Sequence, residues 1–177
     1  YPYDILKGIG SYGWSNSYDQ TELNHIMAQW EALPNFVGDA RILPLVDVSG
    51  SMTSPAGGYA SQSKVSCMDV AVSLGLYLAD KNLGAFKDTF LTFSGTPELL
   101  HLQGNIIQKC QQMVKSRWEM NTDLHKALNK ILSVAKQGNV PDSEMPTMLL
   151  ILSDMQFDRC VVHDDSAIEM IARKYAE

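Results

Sequence analysis

This 177-residue sequence has only three cysteines, no long apolar run and a deficit of positive charge. Cys67, Cys110 and Cys160 are odd in number and widely spaced, and no two form a CxxC pair. That excludes a paired disulfide framework and argues against a cysteine-built zinc site. Reduced, buried thiols in the cytoplasm are the simpler expectation. No apolar stretch approaches the ~20 residues a bilayer-spanning helix needs, so no membrane partner is expected. No secretory signal opens the chain. Lys and Arg number 14 against 20 Asp and Glu, for a net charge of −6. Broad electrostatic capture of nucleic acid needs clustered cations, so RNA is not expected as a partner of this segment.

What is present suits a globular domain with a substantial core: 45% of residues are hydrophobic and 19% charged, both ordinary for a folded protein. The length suits one domain. The chain begins with Tyr1 and not Met, and Glu177 falls inside a helical pattern. A segment of a longer protein is therefore expected.

Residues 1–18, rich in Tyr, Gly and Ser, read as an irregular lead-in. Asp19 and Glu22 then have capping-box spacing, and Leu23, Ile26, Met27, Trp30 and Leu33 recur at helical spacing up to Pro34. Residues 34–40 read as a linker. The run Ile42 to Val46 is short, wholly apolar and ends on Asp47, as in a strand buried on both faces. A Gly- and Ser-rich loop over 47–63 leads to a helix expected at about 64–80, stopped by Asn82 and Gly84. A second strand is expected over 86–93 and a short third over 98–102. Helices are expected over 104–116, over 124–135 and over about 165–177, with a second wholly apolar run, Met148 to Leu152, between the last two. That run ends on Ser153 and Asp154. Buried strands alternating with amphipathic helices predict an α/β fold, doubly wound and Rossmann-like, with a mainly parallel sheet flanked by helices. Ligands in such sheets bind beyond the carboxyl ends of the strands, where strand order reverses. Two carboxylates, Asp47 and Asp154, stand at strand ends of that kind.

The segment Asp47-Val48-Ser49-Gly50-Ser51-Met52 sets one carboxylate and two hydroxyls at alternate positions past a buried strand. Residues two apart point the same way in extended chain, and Gly50 allows the turn that brings Ser51 round. The product is an all-oxygen cluster, the choice of hard divalent cations. Mg²⁺ fits few carboxylates and several waters better than Ca²⁺ does, with Mn²⁺ or Ca²⁺ as alternatives. A cation so incompletely neutralised should attract a carboxylate from outside.

The segment matches the DxSxS motif of the metal-ion-dependent adhesion site, and the chain resembles the von Willebrand factor A-type family over about residues 40–177. The resemblance implies a Thr from a second loop and an Asp from a third. Thr122 opens a helix where the family places its Thr, and Asp154 ends a buried strand where the family places its Asp. The implied metal set is Asp47, Ser49, Ser51, Thr122 and Asp154. Thr122 also suits a helix N-cap, and Asp154 a turn or a water-mediated contact. A narrower likeness is to intracellular modules such as that of the TROVE ribonucleoprotein family. Closer still is a poorly characterised family of phages, bacteria and plants in which a helical region precedes the module and a similar Ser-Asp-Met-Gln-Phe stretch follows the fourth strand. On that likeness residues 1–39 are a lead-in and the tail of a helical region, and 40–177 the module. The family fold continues with further strands and a helix, so truncation at the C-terminus is implied. Asn121 stands where the family commonly has Gly.

Three functions compete on this reading. The first is a non-enzymatic interaction module whose cation bridges to an Asp or Glu carboxylate of a protein partner. The second is a ribonucleoprotein subunit, by analogy with the TROVE proteins, in which RNA would belong to the parent protein. The third is a Mg²⁺-dependent phosphatase with Asp47 as nucleophile, a chemistry that needs a second acid where Ser49 stands. No His lies in any of the three loops, and no nucleophile with its base is visible.

Overall fold

The computed structural model describes residues 1–6, 19–47, 49–57, 64–93, 96–116 and 124–154, with 172, 173 and 176 beyond them. Four strands form one mixed sheet in the order β3-β2-β1-β4. They are β1 (Ile42–Asp47), β2 (Thr89–Phe93), β3 (Leu99–His101) and β4 (Met148–Leu152). β1 pairs in parallel with both β2 and β4. β3 runs antiparallel to β2, so a sheet expected to be mainly parallel carries one reversed edge strand. The reason is local: five residues separate β2 from β3 in the sequence, too few for a crossover, which needs a dozen or more.

The wholly apolar runs behave as strands covered on both faces. On β1, Leu43, Leu45 and Val46 are fully buried, and so are Phe90 and Leu91 on β2. Alternate residues serve two separate cores. Val46 and Phe90 join a cluster with Ile26 and Trp30 of α2 (Gln20–Glu31), Met68, Val72 and Leu76 of α3 (Cys67–Lys81), and Met113 of α4 (Ile106–Lys115). Leu43, Leu45 and Leu91 face the other way and pack with Ala127, Leu128 and Ile131 of α5 (Leu124–Gln137). Each fully buried aliphatic or aromatic side chain contributes roughly 1.5–3 kcal/mol relative to leaving it in water. Pro44, unusual inside a sheet, is opposite Leu150 of β4, and pairing with β2 begins only at Leu45. Gly75 lets α3 lie directly on β1: a Cβ there would come 2.5 Å from Val46 Cγ2.

Several boundaries differ from those expected. Residues 1–18 contain a short helix, α1 (Pro2–Leu6), whose Leu6 is buried in the first core. α3 starts at Cys67 and not near 64, because Ser66 and Asp69 form a reciprocal capping box. This satisfies two backbone donors that an earlier start would leave open. The strand expected from Phe86 starts at Thr89, since Gly84–Phe86 forms a 3₁₀ turn that drives Phe86 into the second core. The linker over 34–40 is tethered: the Tyr77 hydroxyl donates to Pro34 O at 2.7 Å and accepts from Phe36 N at 2.9 Å. The helix expected at 165–177 falls almost wholly outside the described residues.

Cys67 and Cys110 are free thiols. Cys110 is buried as expected, and burial pushes its thiol up to about 11. Cys67 is only half-buried, and Cys160 lies outside the described residues. Among the described residues no helix is long and apolar enough to cross a membrane.

A polar cluster closes the amino-terminal end of the sheet. Lys109 of α4, 8% exposed, holds Asp80 at 2.7 Å and Asp88 at 2.6 Å. Trp30 Nε1 donates to the other oxygen of Asp80 at 3.0 Å, which fastens α2 to α3. Asp88 has φ of 55°, a left-handed backbone that Asp tolerates better than most residues. Its backbone is held as well: Asp88 N donates to Ala79 O at 2.8 Å, and its carbonyl accepts from Leu102 N at 2.7 Å.

Candidate metal centre

The two carboxylates expected at strand ends are brought to one edge. β1 and β4 are parallel neighbours, with Val46 opposite Leu152. The residues that follow, Asp47 and Ser153, therefore emerge side by side. The chain leaves β1 for β2 on one side and returns in β4 on the other. This is the position where strand order reverses, the place at which sheets of this kind bind their ligands.

Asp47 is wholly buried, at 0% exposure. Its two oxygens each accept one hydrogen bond from a neutral donor. Ser49 N donates to Oδ1 at 2.9 Å. Ser153 Oγ donates to Oδ2 at 2.6 Å. Among the described residues no Lys, Arg or His forms an ion pair with it. A carboxylate removed from water without a counter-charge is costly. Each carboxylate oxygen has two acceptor sites, so both oxygens of Asp47 keep capacity for a further electrophile.

Past Asp47 the chain turns at once. Gly50–Thr53 forms a 3₁₀ helix, closed by Met52 N to Ser49 O at 3.1 Å and Ser54 N to Ser51 O at 3.0 Å. Thr53 Oγ1 donates to Gly50 O at 2.8 Å, and Ser54 Oγ to Ser51 O at 2.7 Å. The tight turn brings Ser49 Oγ and Ser51 Oγ to 3.0 Å from each other. That separation has a coordination meaning: adjacent ligands of an octahedral Mg²⁺ with bonds of ~2.0–2.1 Å lie about 2.8–3.0 Å apart. The base of the loop is pinched by an antiparallel bridge between Pro55 and Ser66. Much of a segment read as loose loop is thus built structure.

The third loop is fastened to the first. Asp154, half-buried, donates its backbone N–H to Met52 Sδ at 3.2 Å. Met52 is 2% exposed and belongs to the first core. The five residues expected to hold the metal therefore divide. Asp47, Ser49 and Ser51 share one turn, and Asp154 is tied to that turn through Met52. Thr122 lies outside the described residues. Among the described residues no group of three or more His, Cys, Asp or Glu gathers in one place. The donor set here is dominated by hydroxyls. It would suit a hard cation and would be poor for zinc or copper.

Two members of this arrangement are not evident as such from the sequence. Ser153 was visible beside Asp154, yet its bond to Asp47 depends on the pairing register of strands 106 residues apart. Met52 carried no polar signal at all, and only folding sets its sulfur beneath Asp154.

A family model described as "Domain of unknown function (DUF7788)" matches residues 42–177. An uncharacterized protein, L728, of Acanthamoeba polyphaga mimivirus is 29% identical over 175 residues, covering 96% of this chain and 28% of its own length. The chain thus spans little more than a quarter of that relative.

Proposed function

The chain belongs to the DUF7788 family, and on the geometry of its site we propose that it is a divalent-cation-dependent protein-interaction module of the von Willebrand factor A type. The observation that carries this reading is the buried Asp47 carboxylate, which has two neutral donors and no cationic partner among the described residues. A bound Mg²⁺ would supply the missing positive charge. Asp47, Ser49 and Ser51 would hold it, with Thr122 and Asp154 as the members from the other two loops. Strand order and the carboxyl-end position of Asp47 and Asp154 support the A-type assignment.

The cation's role is electrostatic. With one firm carboxylate and two hydroxyls, the site leaves a divalent ion under-neutralised, so an Asp or Glu of a partner protein completes its coordination. Ser49 and Ser51 hydrogen-bond to each other and not to a base, which supports binding over catalysis. The proposed partner is a protein, with no nucleic acid or membrane required for this segment.

The test uses acidic peptides offered to the protein with Mg²⁺ or with a chelator. Retention is expected for peptides carrying an exposed Asp or Glu, only with Mg²⁺, and not for the matching Asn or Gln peptides. Retention that survives chelation, or that ignores the amide replacement, would contradict the bridging role.

A further inference from the structure

We infer that Ser153 is a positioning residue of the cation site: its hydroxyl fixes the Asp47 carboxylate in the orientation that receives the ion, without neutralising it. This inference rests on the cation-site reading given above.

Val46 and Leu152 are paired, so Asp47 and Ser153 stand one residue further on, at the same level of neighbouring strands. Along β1, Leu43 and Leu45 belong to the core on the α5 side, as does Leu149 on β4. Continued alternation puts Asp47 and Ser153 on that same face. The contact that results, Ser153 Oγ to Asp47 Oδ2, is the shortest at the site at 2.6 Å. A hydroxyl bonding a carboxylate at this length is typical of a strong, charge-assisted hydrogen bond.

Oδ1 is fixed by the chain's own turn, through Ser49 N at 2.9 Å. A carboxylate held at one oxygen can still rotate about that contact. Held at both, it cannot. The second contact comes from a different strand, so it also locks the end of β1 to the end of β4, where Asp154 follows.

The choice of side chain has a physical reason. Lys or Arg at position 153 would hold Asp47 more strongly, but its charge would occupy the place of the cation. A hydroxyl donates one hydrogen bond and brings no net charge. It orients the carboxylate while leaving the site's negative charge for the ion. Outer partners of this kind typically change metal affinity by roughly 10–100-fold when removed.

The experiment is calorimetric titration of Mg²⁺, and separately Mn²⁺, into wild type, Ser153→Ala, Ser153→Thr and Ser153→Cys, each checked for folding by circular dichroism. Wild type should bind. Ser153→Ala should bind at least tenfold more weakly, and Ser153→Thr, which keeps the hydroxyl, should recover affinity to within about threefold of wild type. Ser153→Cys keeps the volume with only a weak S–H donor, so it should fall with Ala and not with Thr; it serves as the test if the Ala variant does not fold. Wild-type binding with equal affinity in Ala, Cys and Thr variants would overturn the positioning role and leave the cation site standing. Equal losses in all three would also overturn it, since packing and not the hydroxyl would then matter. Absence of binding in wild type would overturn the cation reading itself, and this inference with it.

Discussion

Asp47→Asn is expected to lower the Mg²⁺ affinity of the protein by more than a hundredfold while leaving the chain folded. The first half follows from charge. Asp47 is the one carboxylate in its turn, and Ser49 and Ser51 alone offer a cation only neutral oxygens. The loss should exceed the roughly 10–100-fold produced by removing an outer hydrogen-bond partner. The second half follows from the hydrogen bonds. An Asn amide keeps one oxygen, which can accept from Ser49 N as Oδ1 now does. Its NH₂ would then face Ser153 Oγ, and a hydroxyl can turn to accept. Asp47→Ala is a different experiment. It removes the buried acceptor of the Ser49 N–H and of the Ser153 hydroxyl, and an unmade buried hydrogen bond costs about 1–3 kcal/mol. The amide variant therefore separates loss of charge from loss of structure. Calorimetry with Mg²⁺, beside a thermal melt, reads both; undiminished affinity in a folded Asn variant would remove Asp47 from the site.

Lys109→Met is expected to cost about 3 kcal/mol of stability near neutral pH, toward the low end for an opened buried pair. Met is close to Lys in length, so packing changes little. The cost comes from Asp80 and Asp88, two carboxylates left without the ammonium group they share. Some exposure moderates it: the side chains of Lys109, Asp80 and Asp88 retain 11%, 21% and 19% of their accessible surface.

The same cluster predicts a pH signature. Burial pushes the Asp80 carboxyl up, but hydrogen bonds from Lys109 and Trp30, with the charges of Lys109 and Lys81, hold it below its ordinary 3.8. Its contribution to stability is therefore present above the unfolded value and lost as pH falls through the folded one. Burial pushes the Lys109 ammonium down, but Asp80 and Asp88 raise it above its ordinary 10.5. Its contribution is full below that value and lost as pH rises through the folded one. Between these limits both contributions are fully present, and neither changes with pH. In Lys109→Met, burial of Asp80 is no longer opposed by Lys109, so protonation relieves the variant where it weakens the wild type. Urea unfolding at about pH 7 and about pH 4 should show the stability gap narrowing toward acid. A gap of constant size would mean that the ion pairs are not what Lys109 contributes.

These two sites differ in how far the sequence announced them. Asp47, Ser49 and Ser51 lie within five residues, so spacing alone reports the turn that gathers them. The strands beside them were legible because Ile42 to Val46 and Met148 to Leu152 are unbroken apolar runs, each closed by polar residues. The Lys109 cluster is different. Its members come from α3, the residue just before β2, and α4, at separations of 21 and 29 residues. No local pattern marks a contact that only tertiary folding creates. β3 is three residues long and carries no sign of its direction. The start of α3 was legible in principle, in Ser66 and Asp69, but the helical periodicity running back through Val65 competed with the cap. Ser153 and Met52 fall between these cases. Both sit beside recognisable site residues, and both acquire their role from the register of β1 against β4.

The most direct test of the cation site is a crystal structure of the protein with Mn²⁺, read by anomalous scattering. The expected result is a peak at the carboxyl end of β1, bonded to Ser49 Oγ and Ser51 Oγ at about 2.2 Å, between the Mg²⁺ and Ca²⁺ ranges, with Asp47 beside it. A well-ordered Asp47 turn with no peak at saturating Mn²⁺, or a peak held only by other residues, would contradict it.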